Sequence, residues 1–193
     1  MPLVKPVVKI ENVVACAILK HGIDLRAVVK AFPVVEYQPK RFPGLVFKLK
    51  RPRTTTLIFG TGKMVCTGAR SARDAVRALR QVVRTLNKGG IIINGKLEIE
   101  ITNVVATASL GGKVDLLQLY DSEKGMRGRI TYEPEQFPGL IYRMNDPKVV
   151  ILLFSSGKLV CTGARKEEDA HKAVDNLRLR LEKNDLLYFE NGF

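Results

Sequence analysis

A stretch of fourteen residues occurs twice. Leu57–Arg70 reads LIFGTGKMVCTGAR and Leu152–Arg165 reads LLFSSGKLVCTGAR, so the chain is one unit written twice. Such a repeat constrains a fold strongly, because each copy must bury its apolar face in the same way. The offset is 95 residues from Phe42 to Phe137, Gly62 to Gly157 and Arg70 to Arg165, but 91 from Asn12 to Asn103 and Asp24 to Asp115. Four extra residues of the second copy therefore lie between Asp115 and Tyr132. A second motif, Tyr37-x-Pro39-x-x-Phe42-Pro43-Gly44-Leu45, returns as Tyr132-x-Pro134-x-x-Phe137-Pro138-Gly139-Leu140. This period is too long for a solenoid. It points to two like domains, residues 1–97 and 98–193, sharing one sheet about a pseudo-twofold axis.

Charge separates the two copies. The net charge of +13 predicts a polyanionic partner. Residues 1–97 hold nineteen Lys and Arg against four acids, whereas residues 98–193 hold thirteen against fifteen, so the copies share a fold but not an electrostatic role. Three cysteines with no Cys-x-x-Cys pair predict a reducing compartment and no disulfide framework. Cys66 and Cys161 are repeat mates and read as small buried apolar residues. No apolar run approaches the eighteen or so residues of a membrane span, and Val149–Phe154 reads as a strand. No hydrophobic signal segment follows Met1-Pro2, and the expectation is an intracellular protein.

The β-branched run Val7–Ala17 predicts a strand covered on both faces. Ile23, Ala27, Val28 and Ala31 have helical spacing, and the segment stops before Phe32-Pro33. Strands are predicted from Val34 to Gln38, Leu45 to Leu49, Thr54 to Phe59 and Lys63 to Gly68, the last two joined by a tight Gly60-Thr61-Gly62 turn. In the long helix that follows, Ser71 is the expected N-cap and Ala72, Ala75, Val76, Leu79, Val82, Val83 and Leu86 face inward. Arg73, Arg77, Arg80 and Arg84 form a basic stripe on its other side. The second copy opens its helix with acids at Glu167, Glu168 and Asp169, which suit the helix dipole. Ala170, Ala173, Val174, Leu177 and Leu181 turn inward there. Each copy thus reads β-α-β-β-β-β-α, giving ten strands and four helices in an α+β fold.

Two helices per copy cover only one side of a sheet. The other side would present Asn12, Val14 and Cys16, Leu57 and Phe59, Val65 and Thr67 to solvent. An apolar patch of this kind marks an interaction surface, unless a second sheet packs on it.

The residues Asn12-Val-Val-Ala, Phe42-Pro43-Gly44, Leu57-Ile-Phe59, Gly62-Lys63 and Thr67-Gly-Ala-Arg70, with their repeats, resemble the TATA-box-binding protein family, particularly its short archaeal form, from about Pro6 to Leu181. The resemblance implies a pseudo-twofold saddle with a concave ten-stranded antiparallel sheet and four helices on the convex side. It implies a general transcription initiation factor that binds the minor groove of an A·T-rich TATA box, kinks the DNA and nucleates a preinitiation complex with transcription factor B and, indirectly, RNA polymerase. In the minor groove both A·T orientations offer only acceptors, whereas G·C adds an amino donor. By the resemblance, Val14, Val65, Val105 and Val160 pack on the opened groove and Leu57 and Leu152 extend the floor. Thr67 and Thr162 add hydroxyls, while Asn12 and Asn103, near the pseudo-dyad, donate to central acceptors. Phe42 with Phe59, and Phe137 with Phe154, resemble the aromatic pairs that wedge between base steps, with Pro43 and Pro138 at the same kinks. Lys48, Lys63, Arg143 and Lys158 match phosphate-contacting positions.

The loop Gln38-Pro-Lys40-Arg41 has the counterpart Glu133-Pro-Glu135-Gln136. The resemblance implies that Glu133, Glu135 and Gln136 bind transcription factor B. The arginine stripe reads either as a solvated helix face or as a docking site for an acidic regulator or nearby DNA. Cys16 stands where its repeat mate is Thr107, which softens discrimination at one groove contact. The tail Asn184–Phe193 is not a long acidic run.

An enzyme is not expected. His21 and His171 are the only histidines and lack repeat mates, and no nucleophile and base come together. Gly60-Thr-Gly-Lys63 is followed by Met64 and a strand, unlike a phosphate loop. No cofactor, metal, membrane or small-molecule substrate is implied, and the expected location is the cytoplasm and nucleoid of an archaeal cell, or the nucleus of a eukaryotic one. A general nucleic-acid or protein-binding module on the same saddle is the alternative function.

Overall fold

The computed structural model describes residues 5–123 and 129–189. The chain forms two compact units, one comprising Asn12–Thr102 and the other the residues before Asn12 with those from Asn103 onward.

In the first unit, β1 (Val7–Ile18) runs from Asn12 onward into α1 (Leu25–Ala31), where Asp24 caps the helix by accepting from the amides of Arg26 and Ala27. The antiparallel strands β2 (Leu45–Lys50), β3 (Arg53–Ile58) and β4 (Lys63–Ala69) follow, then α2 (Ala72–Lys88). The Ser71 hydroxyl accepts from the Asp74 amide, as its N-cap position predicts. β5 (Glu98–Ser109) begins in this unit, and the strand order is β2-β3-β4-β1.

The second unit continues β5 and adds β6 (Lys113–Val114), α3 (Leu116–Ser122), β7 (Ile130–Thr131), β8 (Leu140–Asn145), β9 (Lys148–Leu153), β10 (Lys158–Ala164), α4 (Glu167–Lys183) and β11 (Leu187–Tyr188). Its strand order is β5-β10-β9-β8-β7. An unforeseen small sheet pairs β11 with β6, and the Tyr188 hydroxyl lies 3.0 Å from Gln118 Oε1.

The sequence repeat becomes a repeat of burial. β1 and β5 bury the same alternate positions, as do β2 and β8, β3 and β9, and β4 and β10. In β1, Val13, Ala15 and Ala17 are fully buried while Asn12, Val14 and Cys16 are half-exposed, so this strand is covered on one face and not on both. The covering layer is α2, which packs on β4 through Ala75, Ala78, Leu79, Val82 and Leu86. Ala72, Val76 and Val83 flank this stripe half-buried rather than facing inward, because a helix resting on a sheet seals only a narrow arc. In α4 the five expected apolar residues are buried. They are joined by Arg178, whose Nε donates to Glu182 Oε1 at 2.7 Å.

Val34–Gln38 does not form a strand. One bridge, Glu36 with Val46, is all that remains, since Pro33 and Pro39 bracket the segment and prolines cannot donate to a ladder. The extra residues of the second copy fall in a segment that includes 124–128, outside the described residues, as does the end of the tail at 190–193.

Candidate nucleic-acid interface

Register places the half-exposed side chains of each unit in rows. In the first unit Val46 stands opposite Leu57, Leu57 opposite Val65, and Val65 opposite Cys16. The second unit repeats this as Ile141, Leu152, Val160 and Thr107. The next row is Lys48, Thr55 and Thr67 in one unit and Arg143, Val150 and Thr162 in the other. Val14 and Val105 lie two residues before Cys16 and Thr107 and are half-exposed with them. Val46, Thr55, Ile141 and Val150 were not foreseen, although counting back by two from Leu57 and Leu152 reaches Thr55 and Val150.

Asn12 is tied to this face by three contacts. The Gly68 amide donates to its Oδ1 at 2.8 Å, and its Nδ2 donates to Thr67 Oγ1 at 3.1 Å. A third, longer one runs from Thr67 Oγ1 to Oδ1 at 3.4 Å. Asn103 repeats the pattern, with Gly163 donating at 2.7 Å and Thr162 accepting at 3.3 Å. A bulge in each ladder turns these glycines into position. Their φ angles of +94° and +91° are those glycine adopts without strain.

At the edge of each unit an aromatic pair stands edge to face. Phe42 and Phe59 have ring centroids 5.9 Å apart, and Phe137 and Phe154 5.8 Å. Phe42 is 40% exposed, Phe59, Phe137 and Phe154 are half-exposed, and Pro43 and Pro138 are exposed beside them. The neighbouring glycine is required by space: a Cβ on Gly44 would lie 2.6 Å from Phe42 Cε1, and one on Gly139 2.7 Å from Phe137 Cε1.

Lys63 and Lys158 are exposed on this side. Lys48 pairs with Glu36 at 2.5 Å, and Arg143 Nη1 donates to Thr131 Oγ1 at 3.1 Å. Sequence reasoning missed Glu36, which reaches Lys48 only because the Glu36–Val46 bridge brings its segment to β2. The two charged loops share a backbone form. The amides of Arg41 and Phe42 donate to the Gln38 carbonyl as those of Gln136 and Phe137 donate to that of Glu133. Glu133, Glu135 and Gln136 are exposed.

Arg73, Arg77, Arg80 and Arg84 are exposed on α2 and border a shallow groove with Ala72, Val76 and Gln81. Their repeat mates on α4 are Glu168, Lys172, Asp175 and Leu179, so the stripe belongs to one copy only. Burial pushes the Cys66 thiol up and the Cys161 thiol to about 11, which keeps both protonated and unreactive near neutrality. Among the described residues no three His, Cys, Asp or Glu side chains gather as a metal site, and no helix is long and apolar enough to cross a membrane.

The chain is similar over most of its length to known proteins. The TATA-box-binding protein of Sulfurisphaera tokodaii is 49% identical over 173 residues, 90% of this chain and 85% of that protein. The protein of the same name from Methanothermobacter thermautotrophicus is 48% identical over 184 residues, 93% of this chain and 97% of the relative. The solved structure of Methanococcus jannaschii TBP matches with a TM-score of 0.77 and 43% identity, covering 91% of this chain and 98% of that one. The family model for transcription factor TFIID, or TATA-binding protein (TBP), matches residues 7–89 and 98–184, and the chain belongs to that family.

Proposed function

We propose that this chain is a general transcription initiation factor that binds the minor groove of an A·T-rich TATA box, kinks it and nucleates a preinitiation complex. The observation that carries the reading is the twice-built face, an apolar row with an Asn–Thr pair beside it and an aromatic pair at its edge.

Each part has a physical task. Val14, Leu57 and Val65, with Val105, Leu152 and Val160, offer no acceptor to a guanine amino group and so favour A·T pairs. Asn12 and Asn103 donate to N3 and O2 acceptors, with Thr67 and Thr162 beside them. The pairs Phe42–Phe59 and Phe137–Phe154, with Pro43 and Pro138, enter base steps. TATA-binding proteins are the type case of this wedge, in which unstacking a step costs on the order of a few kcal/mol and is offset by the larger surface that bent DNA contacts. Lys48, Lys63, Arg143 and Lys158 contact phosphates, adding affinity and salt dependence. The work is binding and bending, with no catalytic step and no cofactor, and its place is with the genome in the cell. The repeats 1–97 and 98–193 are its two half-site readers.

Direction comes from the unlike loops. The Glu133 and Glu135 carboxylates are repelled by phosphate, and together with the neutral Gln136 they engage transcription factor B, through which RNA polymerase joins. The test is the end-to-end distance of a dye-labelled TATA duplex, with a G·C-substituted control, at moderate salt. Sharp shortening of the A·T-rich duplex alone supports the reading. Equal binding to both without bending would make the chain a general basic binder.

A further inference from the structure

We infer that the backbone amides of Gly68 and Gly163 are positioning groups that fix Asn12 and Asn103 as donor-only readers of the groove. The inference deepens the minor-groove reading above and rests on it.

An Asn amide can present either its oxygen or its nitrogen, and a freely turning Asn would accept from a guanine amino group as readily as it donates to adenine N3. Here that choice is removed. A backbone N–H can only donate, so the atom 2.8 Å from the Gly68 nitrogen is the Asn12 oxygen, and the one 2.7 Å from the Gly163 nitrogen is that of Asn103. Each Nδ2 then gives one hydrogen to Thr67 or Thr162 and keeps a second for the groove. The donating amides exist because each ladder bulges at a glycine of positive φ, which takes that amide out of ordinary strand pairing. The Thr-Gly-Ala motif is therefore part of the specificity device, though neither glycine has a side chain to read a base. The same construction in both units makes each half reject an amino group at the pair its Asn faces.

The test replaces adenine by 2,6-diaminopurine one pair at a time through a TATA duplex, which adds a single amino donor to the minor groove at each position. The wild-type chain should lose affinity roughly tenfold or more at the pairs that Asn12 and Asn103 face. Asn12→Asp keeps an oxygen for Gly68 and turns the other outward as an acceptor. Its penalty should fall at least about tenfold at one pair only, and Asn103→Asp should do the same at another. The unmodified duplex should bind more weakly in both. Because the substitutions lie in separate units, a folding failure of one leaves the other to decide. Asp variants that keep the wild-type profile at every position would overturn the positioning role while leaving the minor-groove reading intact. A wild-type chain that binds A·T-rich and G·C-rich duplexes alike would overturn both.

Discussion

Phe42 and Phe59 meet edge to face with their planes 68° apart, and Gly44 is packed so closely that an added Cβ would lie 2.6 Å from one ring and 3.0 Å from the other. Gly44→Ala should push the partly exposed Phe42 ring outward, since the better-held Phe59 continues from β3. The variant should fold, bind A·T-rich DNA and bend it less. Phe59→Ala should lower bending further and cost less stability than the roughly 3–5 kcal/mol of a fully buried Phe→Ala change. Energy-transfer distances and urea midpoints separate the two effects. Unchanged bending in Phe59→Ala would remove its wedge role.

Neighbours on one strand should respond oppositely. Met64 is fully buried under the helices and Val65 is half-exposed on the far face. Met64→Ala should cost about 2–5 kcal/mol of stability. Val65→Ala should cost well under that and instead weaken binding to A·T-rich duplexes. Denaturation and titration of both variants check the division. A Val65→Ala chain as unstable as Met64→Ala would mean that this face is core.

The alternation that separates Met64 from Val65 was legible in the sequence, because side chains on a strand must alternate and the duplication supplied each pattern twice. The helix cap at Ser71 was open to local reading, whereas Asp24 was marked in the sequence only as the repeat mate of Asp115 and its capping role emerges with the fold. Val34–Gln38 was misread because its β-branched composition outweighed the prolines at both ends. Ala78 was missed because Ala is a weak marker of burial in an Ala-rich helix. Two relationships depend on tertiary register and could not be seen: Lys48 with Glu36, and Asn12 with Gly68. Each joins a residue legible by itself to a partner that only the fold supplies.

The arginine stripe of α2 repels itself. Arg73 and Arg77, Arg77 and Arg80, and Arg80 and Arg84 are three or four residues apart on one exposed face, where like charges destabilise a helix by roughly 0.2–0.5 kcal/mol per pair. Arg77→Glu replaces two repulsions by two attractions, while turning one attraction, with Asp74 three residues before it, into a repulsion. On balance it should raise the thermal midpoint at low salt, with the gain shrinking as salt is added. A lower midpoint would show that Arg77 makes a contact its neighbours do not.

Glu36 holds Lys48 in an exposed pair, so in the free protein it competes with phosphate for that ammonium. Glu36→Gln should tighten DNA binding with little change in folding, since exposed pairs contribute little to stability. Lys48→Gln should weaken binding on all duplexes alike and lower the salt slope by about one. Binding measured across a salt series tests both. An unchanged slope in Lys48→Gln would take this residue out of the phosphate contacts.

Cys161 sets a limit on alkaline stability. Burial raises its thiol from 9.0 to about 11, so between those values the unfolded chain releases a proton that the folded chain keeps. The unfolded state then binds fewer protons, and stability present below pH 9 is lost as pH rises towards 11. Cys161→Val removes the titrating group while keeping the site apolar and nearly the same size. Its denaturation midpoint should fall less than that of the wild type between pH 8 and pH 10.5, and the two should differ little below pH 8. Parallel losses in both proteins would mean that other groups govern the alkaline limit, and that the Cys161 thiol meets water more readily than its buried position on β10 implies.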